Sequence, residues 1–167
     1  MDAKEILAQT PLFANALDEV QIGYLASQSR PAFFRANTRL MSQGDFGGSM
    51  FIIVRGEVLV SLSGGGKDER MLATLGPGEI VGEMSLFTGD RRTATVAAKD
   101  NVEALEITKA SLERIFLKSP ELIGRFGKVV AKRQAQLRLA AAPTESARDA
   151  FIKQARAAFS GLFRAAR

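Results

Sequence analysis

Residues 50–62, MFIIVRGEVLVSL, hold two short apolar runs, 50–54 and 58–62, separated by Arg55-Gly56-Glu57. Their length, their Val, Ile and Phe content and the glycine between them read as two strands joined at a tight turn. The same texture begins at Ala32 and recurs at 33–34, 40–41 and 71–75. Glycines punctuate it at Gly44-Asp45, Gly47-Gly48, Gly64-Gly65-Gly66 and Gly76-Pro77-Gly78, and these are read as structural, marking sharp reversals. Evenly spaced short strands with such turns predict an antiparallel barrel or jelly roll.

Helical texture flanks this region. Residues 2–28 read as helix with a break at Thr10 and Pro11, and Asp18 followed by Gln21 is a capping-box signal ahead of the stripe Val20, Ile22, Leu25 and Ala26. One more strand is expected at 102–107, then a short helix at 111–117 and a longer one from Pro120 to about Leu139. After a breaker at 140–144, residues 144–167 read as a last helix, with Phe151, Ala155, Phe159, Leu162 and Phe163 on one side and Lys153, Arg156 and Arg164 on the other. The expected organisation is an N-terminal helical segment 1–30, a β core 31–108, C-terminal helices 109–140 and a basic amphipathic helix 141–167.

Composition narrows the chemistry. The 167 residues include no cysteine and no histidine, which removes disulfides, zinc–thiolate sites, imidazole bases and Ser-His or Cys-His nucleophiles. Neither a carboxylate pair nor a metal-ligating cluster stands out, so the chain reads as a binding protein and not an enzyme, with no cofactor expected. No apolar run approaches the roughly 18 to 20 residues of a membrane span, and the opening MDAKEILAQT lacks a signal peptide's apolar core. A cytoplasmic location is expected. The net charge of +5 is uneven: residues 1–117 carry 12 Lys or Arg against 15 Asp or Glu, and residues 118–167 carry 11 against 3. The basic tail is a solvated helix face, or it meets an acidic partner or a membrane surface.

The stretch that carries chemistry is 82–98, GEMSLFTGDRRTATVAA. Gly82 lets backbone approach a ligand, and a short helical turn over 83–87 aims free N–H groups and a positive dipole end at an anion. A guanidinium can pair two phosphate oxygens at once. Arg92, placed directly before a strand-like Thr-Ala-Thr-Val-Ala and next to Thr93, fits that role, whereas Arg91 belongs to the loop tip. Glu83 repels a phosphate but is a strong acceptor for a ribose hydroxyl. A surface ion pair of Glu83 with Arg92 fits the same pattern.

This stretch resembles the phosphate-binding cassette of the cyclic-nucleotide-binding domain family, which includes the catabolite activator protein, regulatory subunits of cAMP-dependent kinase and cyclic-nucleotide-gated channels. The resemblance covers about 12–139 and implies an α+β fold: a helix, an eight-stranded antiparallel β jelly roll and two helices. By that similarity Gly82 and Glu83 hold ribose, the backbone at Met84 and Ser85 with the Arg92 side chain holds phosphate, and Thr93 lies near phosphate and base. Position alone adds Val60 against a purine, with Met71 and Met84 as neighbours; core packing is the alternative for all three. Arg133 matches an arginine that closes over the base in bacterial channel domains, with Lys132 and Arg138 as competitors.

The function implied is a sensor for cAMP, or cGMP, most similar to the cytoplasmic ligand-binding domain of a bacterial cyclic-nucleotide-regulated ion channel. Its partner would be an effector or channel domain, or a second copy. The alternatives are the sensor part of a catabolite-activator-type regulator and a stand-alone adaptor. With only 28 residues after Leu139, no nucleic-acid partner is expected.

Overall fold

The computed structural model describes residues 2–63 and 69–137, with backbone alone at 70 and 132–137. The Gly64–Gly66 turn, Arg138 and the helix expected at 141–167 lie outside the described residues. The N-terminal segment is three helices, α1 (Ala3–Gln9), α2 (Pro11–Ala14) and α3 (Glu19–Gln28). Pro11 opens α2, where its missing N–H leaves no bond unmade. Asp18 and Gln21 form the reciprocal capping box that their spacing predicts.

Eight strands follow: β1 (Arg30–Phe34), β2 (Arg39–Met41), β3 (Ser49–Arg55), β4 (Val58–Ser63), β5 (Glu69–Leu75), β6 (Ile80–Val81), β7 (Thr95–Ala98) and β8 (Val102–Thr108). They form two four-stranded sheets in the orders β1-β8-β3-β6 and β2-β7-β4-β5, and every pairing is antiparallel. The jelly-roll architecture expected from the strand texture is what the chain adopts.

The unbroken apolar run of β3 has a physical cause. Met50 and Ile52 pack into a cluster with the helices, together with Ile80, Leu105 and Ile107. Phe51 and Ile53 point the other way, into a cluster between the sheets with Met41, Val58, Leu75, Val81, Val96, Val102 and Ala104. Successive strand residues face opposite sides, so a strand covered on both sides must be apolar throughout.

Two helices close the described chain. α5 (Lys109–Lys118) starts earlier than the apolar pattern suggests, because the Thr108 side chain accepts from Ser111 N and caps it. α6 (Glu121–Leu137) follows Pro120. Between them and the jelly roll sits α4 (Glu83–Thr88). Its Phe87 ring lies 5.7 Å from Phe126 of α6 and 6.2 Å from Phe116 of α5, and Phe126 also meets Phe13 of α2 at 5.7 Å. This aromatic cluster ties α4 to the helices at both ends of the chain.

One polar atom in this layer stands apart. The Tyr24 hydroxyl is buried with no hydrogen-bond partner among the described residues. An unmade buried bond costs stability. Tyr24→Phe should therefore leave the thermal midpoint unchanged or raise stability by up to about 1 kcal/mol; a clear drop in a melting curve would show that the hydroxyl is bonded.

Candidate functional site

β6 delivers the chain to Gly82, whose φ of 84° is left-handed and suits glycine. A Cβ there would also lie 2.6 Å from Arg92 Nη1 and 3.2 Å from the Ser49 carbonyl oxygen. Gly82 is thus needed twice, for the backbone turn and for the approach of Arg92. As N-cap of α4 it offers no side chain to the first-turn amides, which leaves that helix end suited to an anion.

Arg92 is only 7% exposed. Nη1 donates to the Gly82 carbonyl and to Ser85 Oγ, each at 2.9 Å, and Nη2 donates to the Ser49 carbonyl at 2.7 Å. Its main chain is bonded both ways to the 42–48 loop: Arg92 N donates to the Asp45 carbonyl at 2.7 Å, and Gly44 N donates to the Arg92 carbonyl at 2.9 Å. These bonds correct the expected strand start. Arg92 pairs with that loop and not with a ladder, and β7 begins at Thr95.

Burial pulls the Arg92 guanidinium below its usual range, while the charges of Glu83 and then Asp45 pull it back up. The usual arginine value is so high that the group stays cationic at neutral pH. Glu83 is 5% exposed, so neither charge lies at the surface. They are buried charges that feel each other within one site.

Arg91 behaves differently. Nη1 donates to the Gly44 carbonyl at 2.8 Å, and its guanidinium lies 4.1 Å over the ring of exposed Phe46. It points at the surface, as expected, but is held there. Arg91→Ala should change affinity for a ligand in the cavity by no more than a few-fold; a larger loss in a titration would reverse the roles given to the two arginines.

The cavity has a volume of about 440 Å³. Gly82, Glu83, Met84, Ser85, Arg92 and Thr93 form its polar side, and Val60, Leu62, Met71 and Leu72 its apolar side. Such a wall with a few convergent polar groups is the usual form of a small-molecule site. Every site residue expected from the sequence lies on it except Arg133, whose side chain lies outside the described residues, as does that of Lys132. Val60 and Met84 line the cavity and also pack against the two core clusters, so both readings hold for them, whereas Met71 belongs to neither cluster and is 56% exposed.

Sequence reading missed Gly47, taken as a turn residue. A Cβ on Gly47 would fall inside the Arg92 guanidinium, against Nε, Cζ and Nη2. The adjacent glycines were the only visible signal.

Residues 31–119 match the cyclic nucleotide-binding domain family. The chain belongs to that family. It is 30% identical over 145 residues to the cyclic AMP receptor protein of Thermus thermophilus, covering 83% of this chain and 63% of that one. It is also 30% identical over 130 residues to a cyclic nucleotide-gated potassium channel of Rhizobium etli, covering 78% and 35%. The crystal structure of the N-terminal domain of a transcriptional regulator from Streptomyces coelicolor superposes with a TM-score of 0.64 at 32% identity, covering 80% and 92%. The chain thus spans less than two thirds of either full-length relative. Members of this family are ligand-binding regulatory domains, and among the described residues no cluster of acids could hold a metal and no helix is long and apolar enough to cross a membrane.

Proposed function

We propose that this chain is a sensor domain that binds a 3′,5′-cyclic purine nucleotide in the cavity, cAMP ahead of cGMP. The observation that carries the proposal is the Arg92 fork, buried beside the uncapped start of α4. Its acceptors are two carbonyls and a hydroxyl. A phosphate adds a full negative charge on the acceptor side and can take two guanidinium N–H groups at once, so it competes well with neutral carbonyls for the same donors. Glu83, at the same end, suits a ribose hydroxyl. The apolar wall of Val60, Leu62 and Met71 suits the base, and Thr93 permits either purine.

Movement follows from the aromatic cluster. A phosphate drawn to Arg92 and the α4 amides shifts α4, and Phe87 carries that shift to Phe126 and Phe116. The C-terminal helices are therefore the output, as in a two-state switch biased by differential contacts. Arg133 on α6 is our candidate for a residue that closes over the base by stacking its guanidinium.

The preferred parent is a bacterial cyclic-nucleotide-regulated channel with this domain at the cytoplasmic face, for which the resemblance around 120–133 and the basic C-terminal residues speak. The Streptomyces domain favours a second reading, the sensor of a transcription regulator. Salt-dependent binding to duplex DNA by the parent protein separates the two. The sensor function itself is tested by mass spectrometry of nucleotide released from the purified chain. Released cAMP or cGMP is expected, and consistent release of a different ligand class would overturn the proposal.

A further inference from the structure

The chain has no cysteine and five methionines, so thioethers are its only sulfur. Met41, Met71 and Met84 line the one cavity described above. Their access to solvent differs. Met41 is 9% exposed and Met84 half-buried, whereas Met71 is 56% exposed. Met50 is fully buried in the helix-side cluster. Met71 lies on β5 opposite Ser61, where the ladder shifts register beside Val60, and its neighbour Leu72 is also exposed. A reagent in solution therefore reaches a single sulfur at the apolar wall before the other described methionines.

We propose that Met71 is an oxidation site whose modification lowers nucleotide affinity and which bound nucleotide shields; the affinity and shielding parts rest on the cyclic-nucleotide reading of the cavity. The oxidant is hydrogen peroxide. A sulfur lone pair attacks one peroxide oxygen, the S–O bond forms as the O–O bond breaks, and the departing hydroxide takes the proton of the hydroxyl now on sulfur and leaves as water, so that the sulfoxide remains. The thioether is oxidised by two electrons and the peroxide is reduced. The sulfoxide is polar and chiral where the thioether was apolar and pliable. It holds water against the wall where the flat face of a base would lie, and reductase-type repair of sulfoxides makes the change reversible.

The test treats the full chain with graded hydrogen peroxide, maps each methionine by peptide mass spectrometry with and without saturating cAMP, and measures cAMP affinity before and after treatment in wild type and Met71→Leu. Met71 sulfoxide is expected first, and more slowly with cAMP. Wild-type affinity should fall about tenfold, as the loss of roughly 50 Å² of apolar burial would cause, while Met71→Leu should hold its affinity through the same treatment. Earlier oxidation of Met41 or Met84, or an equal loss of affinity in Met71→Leu, overturns the proposal. A chain that binds neither cAMP nor cGMP before treatment overturns the nucleotide reading instead, and with it the shielding, while the order of sulfoxide formation is still read without nucleotide.

Discussion

Arg92→Ala is expected to weaken cAMP binding by about 2 to 5 kcal/mol, thirty-fold to several-thousand-fold. The size follows from where the guanidinium sits. It is buried next to Glu83 and Asp45, so its attraction for a phosphate is little screened by water. Truncation also removes the donor from the carbonyls of Gly82 and Ser49 and from Ser85 Oγ. Thermal midpoints must therefore be measured beside affinities. Arg92→Lys separates the two effects: it retains a positive charge but lacks the planar fork, so affinity should fall while the fold survives. Unchanged binding by a folded Arg92→Ala protein would contradict the assignment.

Gly47→Ala should come close to Arg92→Ala in its effect, although residue 47 is absent from the cavity wall. Its backbone is not left-handed, so alanine meets no conformational penalty there. The new Cβ instead occupies the space of the guanidinium, and Arg92 must leave its acceptors. Gly48 is the control, because a Cβ there meets nothing within 4 Å. A double-mutant cycle makes the argument specific. In an Arg92→Ala background, Gly47→Ala should have almost no further effect on affinity. Full additivity would mean that Gly47 acts through the loop and not through Arg92.

These two residues also mark where the sequence was legible and where it was not. The strands at 50–54, 58–62 and 102–107 were readable because burial on one or both faces writes itself into short-range pattern. The Asp18–Gln21 cap was readable because its partners are three residues apart. The cassette at 82–98 was readable because its glycines, acid and arginine are contiguous.

Gly47 was not readable. Its reason lies in a side chain 45 positions later, and a glycine required by a distant contact looks the same as one required by a turn. The strand start at Thr95 was missed for a related cause, since Thr93 and Ala94 have strand-like neighbours while the main chain of Arg92 is bonded to the 42–48 loop. The early start of α5 came from a cap at Thr108, a residue that also ends a strand. The link from α4 to α6 depends on phenylalanines at positions 87, 116 and 126, which periodicity places on helix faces without saying that those faces meet.

Arg92 and the start of α4 are proposed to form a phosphate cradle for a cyclic nucleotide. Calorimetric titration of the wild-type chain with cAMP and with cGMP tests it most directly. Saturable binding of at least one of them is expected at concentrations well below millimolar, and binding of neither below millimolar concentration would rule the cradle out.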